Sequence, residues 1–227
     1  MEEMVESYNL PQTKIFLKSI NGHKFECFYK MIFTYRLSRF EILNVEWNDI
    51  DFDKDTITIY PVSYIMKGKR KSFTNVKKVP ELARTYPLLP HIKELLIREK
   101  QNQLNNLFQN KHYHNDNVEY VCLKDNGERL NANTLSRNLK YIARDNDLPE
   151  ILISGIKESA KEFFVKHISQ NDYLWCWLRV DINKRRENAY GNFSLLKNKR
   201  FTNALDNLID RTELKNEITL WGVLWQR

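Results

Sequence analysis

Phe33 to Ile59, FTYRLSRFEILNVEWNDIDFDKDTITI, decides the fold of this 227-residue chain. Apolar residues fall at Phe33, Leu37, Phe40, Ile42, Leu43 and Val45. That wide stripe at helical spacing predicts a buried helix running through Glu41. Asn48 to Asp55 is rich in Asn and Asp, whose short side chains bond their own backbone, and reads as a turn. Thr56-Ile57-Thr58-Ile59-Tyr60 then alternates with period two and reads as a strand.

Upstream, Leu10 to Ile20 reads as a short helix with Ile15, Phe16 and Ile20 inward, ended by Asn21-Gly22. Lys24 to Tyr35 is a second helix with Phe25, Phe28, Ile32 and Phe33 on one face. Residues 1–9 are acidic and are expected to fray. Downstream, Val62 to Met66 reads as a second strand, followed by a basic run of Lys67, Lys69, Arg70, Lys71, Lys77 and Lys78. A helix is predicted from His91 to Phe108, with Ile92, Leu95, Leu96, Leu104, Leu107 and Phe108 inward. Asp125 to Glu128 is a turn. Thr134 to Asn146 is a helix with Leu135, Leu139 and Ile142 inward and Arg137, Lys140 and Arg144 outward.

Three parts are therefore expected: the frayed start, one domain over 10–196, and a helical segment over 197–227. In the last, Thr202 is a candidate cap for a stripe of Leu205, Leu208 and Ile209, and the end is apolar (Leu220, Trp221, Val223, Leu224, Trp225). Such an end serves a homo-oligomer, a regulatory protein partner, or packing on its own domain. The fold class is mainly α with a small antiparallel β-sheet, an α+β protein.

Lys and Arg number 36 against 29 Asp and Glu, a net charge of +7. This fits an anionic partner, most simply nucleic acid, and equally a charge that only aids solubility. Cys27, Cys122 and Cys176 lack pair spacing, so neither a zinc nor a disulfide framework follows, and a reducing cytoplasm is the natural setting. His112-x-His114 has the spacing of a metal pair, but its polar, Asn-rich surroundings favour a solvated loop. There is no apolar run of membrane-spanning length, no signal peptide and no Gly-rich phosphate loop.

Glu41-Ile42-Leu43-Asn44-Val45-Glu46-Trp47-Asn48-Asp49-Ile50-Asp51 resembles box one of the tyrosine recombinases, the phage integrase family. Their pattern there is Thr-Gly-x-Arg-x-x-Glu-Leu/Ile-x-x-Leu-x-Trp-x-Asp-Ile-Asp, followed by a strand. The order of helix, Asn-Gly break, helix, box one and strand is also similar, and the resemblance extends over roughly residues 8–195. It implies a tyrosine recombinase catalytic-domain-like fold on double-stranded DNA. In that family a tyrosine hydroxyl attacks a phosphodiester, two arginines hold the phosphate oxygens, and a lysine with histidines moves protons. No metal or cofactor is required. The separate N-terminal helical domain that recombinases usually carry has no room here, so either the protein lacks it or this sequence is a fragment.

The chain departs from this pattern where the chemistry resides. Ser38 stands where the family has its first arginine; on a continuous helix Arg36 and Arg39 would point about 160° and 100° away from it. The second box, His-x-x-Arg, becomes Ser154-Gly155-Ile156-Lys157, with Glu158 next. Trp175-Cys176-Trp177 does not match the third family element, a Gly-His or Gly-Trp pair about nine residues before the tyrosine, and reads as core packing. Tyr190, after Lys184, Arg185 and Arg186, lies within a residue or so of the nucleophile's place. Loss of both arginine clamps, at about 2.7–4 kcal/mol each, implies a rate loss of about 10⁴ or more.

The resemblance thus implies phosphate contacts from Arg36, Arg39, the Lys67–Lys78 hairpin, Lys157, Lys184, Arg185 and Arg186. The helix carrying Arg137, Lys140 and Arg144 is expected at the major groove. The expected function is DNA binding without cleavage, in the bacterial host cytoplasm. Here the chain resembles the recombinase-fold repressors that keep SPβ-like Bacillus prophages dormant. One alternative is an active, divergent recombinase using Tyr190, with Arg36 or Arg39 and Lys157 as clamps. Another is a partner-binding module that works through its apolar C-terminus.

Overall fold

A computed structural model describes residues 4–64, 76–167 and 199–210. In chain order its elements are β1 (Met4–Val5), α1 (Leu10–Ser19), α2 (Glu26–Tyr35), α3 (Arg39–Leu43), β2 (Ile50–Asp51), β3 (Thr56–Ile59), β4 (Val62–Tyr64), β5 (Val76–Lys78), β6 (Arg84–Pro87), α4 (Pro90–Gln109), α5 (Ala132–Asp145), β7 (Glu150–Ile151), α6 (Ile153–His167) and α7 (Lys199–Asp210), with short 3₁₀ turns between them. The described residues are thus mainly helical with a small antiparallel sheet, the class expected.

Helix α2 is the hub because every one of its residues is buried. Phe33 packs on Phe163 and Phe164 of α6, with ring centroids 5.4 and 5.6 Å apart. The Tyr35 hydroxyl donates to the Pro87 carbonyl (3.2 Å) and accepts from the Leu89 N–H (3.3 Å), which ties α2 to the start of α4. Two charges go into this core together. Lys30 lies 3.2 Å from Glu26, whose carboxylate also accepts from Arg98 (2.6 Å) and from the Gly22 N–H (3.0 Å). Burial pushes the Glu26 carboxyl up, but these donors outweigh it and leave it below its ordinary value.

The helix predicted through Glu41 is broken. Tyr35 ends α2, Arg36 turns left-handed (φ 52°, ψ 45°), and Ser38 starts α3. A capping box makes the restart. The Ser38 hydroxyl accepts from the Glu41 N–H (3.2 Å), and the Glu41 carboxylate accepts from the Ser38 N–H (2.7 Å). Leu37 and Phe40 carry the apolar stripe across the kink, which is why periodicity alone missed it.

The sheet runs β2-β3-β6, all antiparallel, with Ile57 opposite Tyr86 and Ile59 opposite Arg84. Ile57, Ile59 and Tyr86 face the core, as the two-residue period requires. Strands β4 and β5 pair separately, Val62 with Lys78.

Several expectations are corrected. Residues 4–9 are not frayed: β1 pairs in parallel with β7, the Tyr8 N–H donates to Ser159 Oγ (2.8 Å), and Asn9 caps α1. Around α1, Phe16 and Ile20 are buried as expected, but Thr13 and Leu17 turn inward with them while Ile15 is 45% exposed. In α4, Leu104 and Phe108 are exposed, so only its first half is amphipathic toward the core. Thr202 does not cap α7 but lies within it, its hydroxyl donating to the Lys199 carbonyl (3.1 Å). Helix α7 docks on α4 of its own chain. Leu205 and Ile209 are buried, and Asp206 Oδ1 accepts from the His91 N–H (3.0 Å) and also contacts the His91 ring. Among the described residues no helix is long and apolar enough to cross a membrane.

Candidate nucleic-acid interface

The kink decides where the box-one cations go. The left-handed turn aims Arg36 at α6, where its Nε donates to the Lys157 carbonyl (3.3 Å) and its Nη2 lies 3.5 Å from Glu158 Oε1. Arg36 is therefore brought to the second box, contrary to the geometry of an unbroken helix. The hydroxyl of Ser38, which the resemblance aligns with the first arginine, is engaged as the cap of α3.

Glu41 serves two partners. One carboxylate oxygen accepts from the Ser38 N–H; the other is ion-paired with the Arg84 guanidinium on β6. The sequence reading missed Arg84 because no local pattern marks it. It arrives by strand register, opposite Ile59, 43 residues along the chain from Glu41. Lys157 on α6 feels the same group of charges. Burial lowers its ammonium pKa, Arg36 and Arg84 push the same way, and Glu41 and Glu158 oppose them. Ser154, which the resemblance aligns with the family's histidine, is the second residue of α6 and is exposed. Arg36, Arg84 and Lys157 are thus three cations close to two carboxylates, a set able to hold oxyanions.

The hairpin gives a mixed result. Lys77 stands opposite Ser63 in the ladder, and Lys67, Lys69, Arg70 and Lys71 lie outside the described residues. Lys78, expected at the DNA surface, is turned into the fold instead. Its Nζ lies 2.7 Å from Asp49 and 3.0 Å from Glu46, over the Tyr60 ring (5.0 Å to its centroid). It anchors the hairpin to the turn after box one.

On α5, Arg137, Lys140 and Arg144 face solvent as expected. They are not equivalent. Lys140 is 2.6 Å from Glu150. Arg144 stacks over the exposed Tyr141 ring at 5.1 Å and lies 3.6 Å from Asp145. Arg137 borders a groove with Lys24, Lys124, Asn131 and Thr134. Arg39 is exposed and stacks on Phe40 at 4.6 Å. Arg129 was not foreseen either; it bonds the Leu43 carbonyl (2.8 Å) and Asn44 (2.9 Å) beneath the Tyr120 ring, fastening the end of α3. Trp175, Trp177, Lys184, Arg185, Arg186 and Tyr190 lie outside the described residues.

No family model matches the chain. A curated relative, a "Tyrosine recombinase XerC-like" protein of Caldanaerobacter subterraneus subsp. tengcongensis, is 25% identical over 162 residues, which are 66% of this chain and 40% of the relative. Among solved structures, the Tn1549 transposon integrase in complex with a circular intermediate DNA superposes with a TM-score of 0.57 at 13% identity, over 86% of this chain and 61% of that one. The crystal structure of XerA recombinase gives a TM-score of 0.57 at 12% identity, over 86% and 64%. The chain thus spans less than two thirds of each of these proteins. It has the tyrosine recombinase catalytic-domain fold, and over 162 residues its sequence is similar to that of a tyrosine recombinase XerC-like protein.

Proposed function

We propose that this chain binds double-stranded DNA without cleaving it and acts as a regulator, of the kind a phage or prophage transcriptional repressor is. The observation that carries the second half of this reading is Ser38. It sits where a clamp arginine belongs, and its hydroxyl is used to start α3. Ser154 and Lys157 at the second box support the same reading, since neither side chain is an imidazole or a guanidinium. DNA binding is supported by the similarity to the Tn1549 integrase complexes and by the outward cations of α5. In this reading Arg39 and, on the hairpin, Lys67, Lys69 and Lys71 hold phosphates, while Arg137 and its neighbours on α5 meet base edges.

A second reading, a divergent recombinase using Tyr190, is favoured by the approach of Arg36 to Lys157 and by the recombinases to which the chain is similar. The test starts from a pool of random-sequence duplexes incubated with the full chain and selected by retention. Retention that falls steeply with salt and enriches one sequence supports the regulator. No retention at 50 mM salt would refute DNA binding. Strand exchange between selected duplexes, lost in Tyr190→Phe, would favour the recombinase instead.

A further inference from the structure

We infer that the cavity between the start of α2, the middle of α4 and residues 123–125 binds a small organic ammonium ion, with Glu99 as its counter-ion. The site stands apart from the duplex-binding reading, and neither rests on the other. The cavity measures about 340 Å³, near the lower end of the range for small-molecule sites, roughly 300–1,000 Å³. It is bounded by residues 22–28, by α4 over residues 95–106 and by residues 123–125. Phe25, Phe28, Leu95 and Leu123 give it an apolar wall. Glu99, Asn102 and Asn106 also line it, and their three- and four-residue spacing puts them on one side of α4.

The charges choose the ligand. The Lys and Arg side chains at the cavity are already matched: Lys24 lies 2.5 Å from Asp125, Arg98 2.6 Å from Glu26 and Lys124 2.6 Å from Glu128. Glu99 has no such partner among the described residues. Its one hydrogen bond there comes from Gln103 Nε2 at 3.5 Å, close to the outer limit. That nitrogen is better engaged with the Val121 carbonyl at 2.7 Å, and Gln103 Oε1 accepts from Trp47 Nε1 at 3.1 Å, so Gln103 is held away from the acid. A half-buried carboxyl in this position costs stability and holds no element in place. An ammonium brings three donors to it, with the amide oxygens of Asn102 and Asn106 available to the remaining N–H groups, and a short aliphatic body covers the apolar wall. An anion would meet no unmatched Lys or Arg. The bland reading is a wet crevice beside a surface glutamate. It does not account for an acid that no cation meets, one turn from a glutamine with two firm partners. Burial raises the Glu99 carboxyl to about 7; Gln103, Lys24 and Arg98 oppose it and Asp125 adds to it. Of the other groups around it, burial pushes Cys27, Cys122 and Tyr113 up and the His23 imidazole down, while its donors keep Glu26 below its ordinary value.

Thermal unfolding of the full chain at pH 8 in n-butylammonium chloride tests the site, against potassium chloride at matched ionic strength and against n-butanol at the same concentration. The wild type is expected to gain about 3–5 °C over potassium chloride at roughly tenfold excess over the dissociation constant, and nothing from butanol. Glu99→Gln, which removes the charge and keeps the shape, should lose the gain. Glu94→Gln, at an exposed position of the same helix, should keep it. Butylammonium stays charged throughout, so wild-type affinity should fall about tenfold from pH 8 to pH 6 as Glu99 takes up its proton. A gain undiminished in Glu99→Gln, an equal gain from butanol, or no saturable gain in the wild type would overturn the site. An affinity unchanged at pH 6 would overturn Glu99 as the counter-ion.

Discussion

Replacing Arg137 and Arg144 together by glutamine should flatten the salt dependence of duplex binding by a calculable amount. Both lie on the outward face of α5, and the Arg144 side chain is 59% exposed, so neither substitution removes a core contact. Each positive charge brought against the duplex displaces condensed counterions, at a base edge as well as at a phosphate, and contributes about −0.9 to the slope of log K against log salt, so losing two changes the slope by about 1.8. Between 50 and 200 mM salt that is about a tenfold smaller loss of affinity. Lys140→Gln should do less, because its ammonium is already 2.6 Å from Glu150 and is partly neutralised before any duplex arrives. Fluorescence anisotropy of a labelled duplex over 50–300 mM salt measures all three. A double variant with the wild-type slope would remove α5 from the interface.

Three further predictions concern the scaffold. Burial raises the Glu99 carboxyl from 4.5 to about 7, so folding favours its protonated form. The resulting cost is absent below pH 4.5, grows as pH rises, and is complete above about pH 7. Glu99→Gln should therefore stabilise by up to about 3 kcal/mol at pH 8 and hardly at all near pH 4, read by urea unfolding; equal gains at both pH values would contradict this. A methyl group at Gly155 would meet Ile151 Cγ1 at 2.4 Å and the Glu6 carbonyl at 2.5 Å. Gly155→Ala should cost about 1–3 kcal/mol and loosen β1, with faster amide exchange at Val5 as the sign. Ser38→Ala should cost about 1 kcal/mol through the lost cap of α3, and an unchanged urea midpoint would mean that the hydroxyl does not hold the kink.

Much of the fold was legible because its signals are local. The two-residue period of Thr56–Ile59, the Asn21-Gly22 break and the outward cations of α5 all translate directly into structure. The kink at Arg36 was legible in principle, since Ser38-x-x-Glu41 is a capping box, but an unbroken apolar stripe concealed it. The site was less accessible. Arg84 joins it through the pairing of β3 with β6, and Lys78 leaves the surface because Glu46 and Asp49 come round from the box-one turn. Neither event has a local signature; both depend on register between segments far apart in the chain. The frayed start failed for the same reason, because the partner of Met4–Val5 is Glu150–Ile151.

The central claim is binding without cleavage. Its most direct test is a nicked suicide duplex, built from a fragment that the protein retards, incubated with the full chain and run on native and denaturing gels. The account predicts retardation on the native gel and no protein-linked DNA on the denaturing one. A covalent band that disappears in Tyr190→Phe would contradict it and make the protein a working recombinase.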